Sequence, residues 1–160
     1  GQLDEAEHVF LRVQEQLASQ DLPAYRCSTQ IGLGLTALAR RQFARANELL
    51  RTALAQRQSV YIEVYVLAEI GLAEIAQQQE AYAEATERLR RMLAFSGQRS
   101  LLQLYAASAF ALTRLGLHTR QVAGLPALLD AVCQLVTQAG AGDLARMCRT
   151  LQADLACLRE

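Results

Sequence analysis

From Phe43 to Ala55 the chain reads FARANELLRTALA, with Phe43, Ala46, Leu50 and Ala53 at steps of three, four and three residues. That is the period of one face of an α-helix. The same pattern returns 39 residues downstream as Tyr82, Ala85, Leu89 and Met92, and 40 upstream as Leu3, Ala6, Phe10 and Val13. The segment before it repeats too, since IGLGLTALA (31–39) and IGLAEIAQQ (70–78) align at an offset of 39. Two helices per period near forty residues predict a stack of helix pairs, a solenoid. The small residues have a physical role: Gly34, Ala46, Ala73 and Ala85 let facing backbones approach, while Leu33, Leu50, Leu72 and Leu89 fill the flanks.

The pattern predicts helices at about 2–19, 24–41, 43–57, 60–79, 81–95, 99–116, 125–139 and 143–158, and no strand. Pro23 suits a helix start, with Asp21 as its cap, and Asp143 suits the cap of the last helix. An offset of 39 puts Gly124 where Ala85 stood, so the third unit drifts, and a longer connection is expected at 117–124. In the last helix Leu144, Met147, Cys148, Leu151, Leu155 and Leu158 read as inward, with Arg146, Arg149, Asp154 and Arg159 outward, as in a solvating cap. The expected fold is all-α: a right-handed superhelical array of antiparallel helix pairs, about three units plus a C-terminal capping helix. One domain spans 1–160, with repeats at about 1–22, 23–58, 59–97 and 98–140 and a cap at 141–160.

These residues resemble the tetratricopeptide repeat family. GQLDEAEHVFLRV carries the Gly that opens the family's second helix (Gly1), then Leu3, Ala6, Phe10 and Val13 at its apolar positions, and the likeness runs over roughly Gly1–Leu115. Arg41-Gln42 and Glu80-Ala81 replace the family's Gly-Asp turn, no Pro closes a unit, and the period exceeds the usual 34 or so. The long period and the phrase GLAEIAQQQEAYAEA are more similar to the repeats of large ATP-dependent LuxR-type bacterial regulators of the maltose-regulator kind. That resemblance implies a repeat domain that receives an inducer or a partner protein, with ATP and DNA handled by other domains. The first copy is a second helix without its partner, so a fragment of a longer protein is expected. Its open end is expected to expose Val9, Phe10 and Val13.

Composition narrows the chemistry. Sixteen basic and sixteen acidic residues cancel, so no net field argues for nucleic acid or an anionic membrane. Every basic residue is Arg, which rules out lysine chemistry. Cys27, Cys133, Cys148 and Cys157 form no metal-ligand spacing and read as buried thiols of a reducing cytoplasm. No apolar run approaches the ~18 residues of a membrane span.

Four motifs are candidate sites. GLGLTA (32–37) fits a dinucleotide fingerprint by letter, but that motif needs a preceding strand, and close helix packing explains it better. Glu5 and His8 share a helix face, yet no second pair completes a di-iron site, and His8 reads as surface. His118, Thr119 and Arg120 fall in the expected loop without a triad. From Tyr61 to Glu87 there are six acids (Glu63, Glu69, Glu74, Glu80, Glu84, Glu87) and no base, and from Arg88 to Arg120 six arginines and no acid. Pairing of neighbouring helices across exposed edges accounts for this, and steering of a mixed-charge partner is the competing account.

No constellation supports catalysis, a metal or a cofactor, so a non-enzyme is expected. The first helices of tetratricopeptide stacks line a concave groove. By that resemblance Ile31, Leu35, Leu38, Ile70, Glu74, Gln77, Gln78, Ala109 and Thr113 would face a protein, a peptide or a small-molecule inducer. The expected function is a protein-interaction or effector-sensing module of a bacterial transcription regulator. The alternative is a small chaperone or dimerisation scaffold, a homodimer through its N-terminal helix that cradles a partner peptide.

Overall fold

The computed structural model describes residues 1–56 and 60–158. Among them lie eight α-helices and no strand: α1 (Gln2–Leu17), α2 (Pro23–Ala39), α3 (Phe43–Ala55), α4 (Ile62–Gln78), α5 (Tyr82–Gln98), α6 (Leu102–Thr119), α7 (Leu125–Gln138) and α8 (Gly142–Cys157). The fold is all-α, as the periodicity predicts. The expected end of α3 at 57 and the 58/59 repeat boundary lie outside the described residues.

What turns the chain back on itself is one repeated device rather than side-chain caps. Arg41, Glu80, Ser100, Arg120 and Gly140 each adopt left-handed backbone, with φ of 59°, 61°, 54°, 58° and 70°. In each case the next N–H donates to the carbonyl five residues back: Gln42 to Ala37, Ala81 to Ala76, Leu101 to Ser96, Gln121 to Gly116 and Ala141 to Val136, at 2.9–3.0 Å. This satisfies a carbonyl that a helix end would otherwise orphan. At four of the five turns the same residue then opens the next helix, its carbonyl accepting from Ala46, Ala85, Tyr105 or Ala145. Each of these four reversals spans three residues between helices. At the fifth, Gln121 closes α6 but Gly124 opens α7, whose Leu128 N–H donates to it at 3.2 Å. That insertion is the longer connection expected around 117–124, displaced to 120–124.

Expected caps fare differently. Pro23 does start α2, but its N-cap is Leu22, not Asp21, and no side-chain bond closes it. Asp143 lies inside the first turn of α8, bonded to Arg146 at 3.1 Å, while Ala141 is the N-cap. The turn preceding α8 already positions its first amides.

The chain forms two compact units, Gly1–Ile75 and Ala76–Glu160. In the first, Ile31 and Leu38 of α2 bury against Ala46, Leu50 and Ala53 of α3 and Ala68, Leu72 and Ile75 of α4. On the other side of α2, Phe10 of α1 lies so close over Gly32 that an added Cβ would meet its ring at 2.5 Å. Phe10 is therefore half-buried rather than exposed, whereas Val9 is 51% exposed. Arg40 at the end of α2 bonds Asp4 (2.5 Å) and Glu7 (3.0 Å) of α1, and Arg45 of α3 reaches the same Glu7 at 2.9 Å. These pairs tie the helix ends together at the surface, where solvent screens them.

In the second unit Ala106, Ala109 and Phe110 of α6 bury against Leu129, Val132 and Val136 of α7 and Ala145, Cys148 and Leu151 of α8, and α5 packs on α6. Core residues 79 apart correspond: Ile31 and Phe110, Leu50 and Leu129, Ala53 and Val132, Leu72 and Leu151. The two cores thus repeat one set of positions.

The small residues expected at the crossings, Gly34, Ala46, Ala73 and Ala85, are all buried. A Cβ on Gly34 would stand 2.7 Å from Leu50 Cδ2 and 2.9 Å from its Cγ. In the third pair the bare side changes helix. The offset there is 40, so Leu125, not Gly124, takes the place of Ala85. Leu125 fits because Gly116 stands opposite, where any Cβ would collide with Leu125 Cδ1. In α8, Leu144, Cys148, Leu151 and Leu155 turn inward as expected, but Met147 (44% exposed) and Leu158 (43%) do not.

Candidate partner-binding surfaces

The first helices of the pairs carry the residues expected to meet a partner. Four of the nine are core instead. Ile31 (0% exposed) and Leu38 (7%) belong to the first unit's core, and Ala109 and Thr113 (both 0%) are buried in the second. Thr113 looked polar enough to line a groove, yet its hydroxyl donates to the Ala109 carbonyl at 2.8 Å and needs no water. Buried Thr29, Thr36, Ser96 and Ser108 use the same bond to the carbonyl four residues back. This back-bonding lets small hydroxyl residues pass as apolar. The other five remain accessible: Leu35, Ile70 and Gln77 are half-buried, and Glu74 and Gln78 exposed.

Of these, Leu35 and Glu74 fall on a stripe that recurs along the first helices. From Val66 to Gln77 of α4 only Leu67, Ile70, Glu74 and Gln77 leave the core, at steps of three, four and three, in line with exposed Glu63 one turn earlier; nearer the helix ends Ile62 and Gln78 are exposed and Val64 and Tyr65 half-buried. In α2 the register equivalents of Glu63, Leu67 and Glu74 are Ala24, Ser28 and Leu35, all half-buried. In α6 they are Gln103, Ala107 and Arg114, forty residues beyond α4. Sequence reasoning missed Glu63, Leu67, Gln103, Ala107 and Arg114. An offset of 40 in place of 39 for the third pair would have found Arg114 in place of Thr113. At one register the three helices therefore carry Leu35, Glu74 and Arg114: apolar, acidic and basic.

The uneven charge resolves in part. Glu69 is buried on α4 and leaves the acidic surface strip. Glu84 bonds Arg88 at 2.9 Å one turn along α5. Among the described residues Arg90, Arg114 and Arg120 make no ion pair.

Other candidate groups settle as scaffold. The glycines of 32–37 sit mid-helix against Phe10 and Leu50, as close packing requires. His8 is exposed. His118 and Thr119 lie in the last turn of α6, not a loop, with the Tyr82 hydroxyl 3.4 Å from His118 Nε2. Burial, and then a hydrogen bond with Cys133, pushes the Cys148 thiol up to about 12. Burial likewise raises Cys27, but Cys133 is half-buried and Cys157 exposed, so the four thiols are not uniformly interior. Among the described residues no three His, Cys, Asp or Glu side chains gather as a metal site, and no helix is long and apolar enough to cross a membrane.

Comparison with protein-family models, curated proteins and solved structures finds no match to this chain.

Proposed function

We propose that the chain is a non-catalytic binding module of tetratricopeptide type, a right-handed array of helix pairs whose first helices meet a protein or peptide. The observation that carries this reading is the stripe on α4: between Val66 and Gln77, where every other residue is buried, Leu67, Ile70, Glu74 and Gln77 stay accessible at helical spacing, in line with Glu63. A stripe of two aliphatic residues flanked by carboxylates suits an extended or helical peptide pairing an apolar residue with a basic one. Membership of a LuxR-type regulator rests on the repeat phrases alone, and reading the gene beyond this segment for a P-loop and a helix-turn-helix tests it.

Panning a displayed peptide library on the immobilised chain tests the binding reading. Selected peptides should combine an apolar residue with Arg or Lys. They should bind a Leu67→Glu, Glu74→Arg variant at least about tenfold more weakly, one charge-assisted contact and one apolar contact being lost. Equal binding to that variant, with its helicity intact, refutes the reading.

The dimerisation scaffold has one observation in its favour. Leu3 (41% exposed), Val9 (51%) and Leu11 (39%) are accessible on α1. Sedimentation equilibrium of the wild type and of Val9→Glu decides it: a dimer that the substitution dissociates supports it, and a wild-type monomer at high concentration refutes it.

A further inference from the structure

In the second unit, α5, the end of α6 and the 120–124 connection enclose a concavity of about 640 Å³, within the range of small-molecule sites. None of the stripe residues proposed to meet a partner lines it. Two guanidiniums line it, Arg90 from α5 and Arg120 from the connection, and no carboxylate is among its lining residues. Neither arginine makes an ion pair among the described residues. The hydroxyl-bearing Thr86 and Thr119 line it as well, over a floor of buried Leu115 and Leu125. The connection adds main-chain donors, because the N–H groups of Val122, Ala123 and Gly124 donate to no carbonyl in the described turns. Two arginines without an ion pair, two threonine hydroxyls and buried leucines lining one concavity form an environment for a doubly charged oxyanion on a small apolar body.

We propose that this concavity binds a phosphate monoester, its phosphoryl group held by Arg90 and Arg120 and its organic part against Leu115 and Leu125. The two guanidiniums match the charge of a phosphomonoester better than that of a single carboxylate.

Phenyl phosphate is the probe, titrated into the 15N-labelled chain and read from the amide resonances of Gly116 and Gly124, with benzoate and benzyl alcohol in parallel. The expected result is saturable shifts with phenyl phosphate, and binding at least about tenfold weaker in Arg90→Gln, Arg120→Gln. An Arg26→Gln, Arg149→Gln variant, which removes equal charge at exposed positions outside the concavity, should bind as the wild type does. Arg90→Gln alone repeats the test if the double variant loses helicity. Absence of saturable shifts, or equal affinity in the Arg90/Arg120 variant, overturns the proposal. Equal binding of benzoate overturns the phosphomonoester assignment, and equal binding of benzyl alcohol reduces the site to an apolar hollow.

Discussion

Gly116→Ala sets two physical effects against each other at one atom. Helix propensity favours alanine over glycine in a helix interior by about 1 kcal/mol. Gly116 lies in α6, so propensity alone predicts a more stable protein. Packing predicts the reverse, because the added Cβ would collide with Leu125 Cδ1 and stand 2.8 Å from the Gln121 carbonyl oxygen. The leucine can rotate, but the carbonyl belongs to the turn that closes α6, where Gln121 N–H is bonded back to Gly116. Overpacking a filled site costs about 1–3 kcal/mol. With a backbone obstacle the upper half of that range applies, and the expected net loss is about 1–2 kcal/mol after the propensity gain of about 1. Urea unfolding followed by far-UV circular dichroism measures it, with Gly34→Ala as the milder comparison, since only the movable Leu50 side chain obstructs a Cβ within 3 Å there. A Gly116→Ala protein more stable than the wild type refutes the nesting of α6 on α7.

Three further outcomes follow from the same geometry. Ala37→Gly with Ala46→Leu copies the Gly116–Leu125 arrangement into the first unit; Ala46→Leu alone should cost about 1–3 kcal/mol and the added glycine should recover part of it, read by the same unfolding assay. Glu80→Gly relieves a left-handed residue at φ 61° and should raise stability by about 0.5–1 kcal/mol, whereas Gly140→Ala in the equivalent turn should lower it by about 1. A colorimetric thiol reagent at pH 8 should modify exposed Cys157 first and leave Cys27 and Cys148 protected until unfolding, since burial keeps both protonated.

Much of this architecture is legible in the sequence because helical periodicity reports directly which face is buried. Ala46, Leu50 and Ala53 recur as Ala85, Leu89 and Met92, and all six are core. The turns were harder to place. The expected ends of α5 at 95 and α6 at 116 fall three residues short, since Gly97 lies in the last turn of α5 against Tyr105 and Ser100 takes the left-handed position. Nothing in Arg41, Glu80, Ser100 or Arg120 signals positive φ; the turn is fixed by the packing of the helices it joins. The partner-facing residues were read less well for two reasons. One inserted residue shifts the third pair by a step, and a threonine bonded to its own helix is hidden from any argument based on polarity. The uneven charge was visible, but not that Glu69 would be buried.

The most direct test of the account is a 13C-edited NOE spectrum of the labelled chain. Cross-peaks from the Gly34 Hα protons to the Leu50 methyls, and from those of Gly116 to the Leu125 methyls, are the predicted result. Glycine Hα protons showing contact only with water, beside assigned Leu50 and Leu125 methyl resonances, would contradict it.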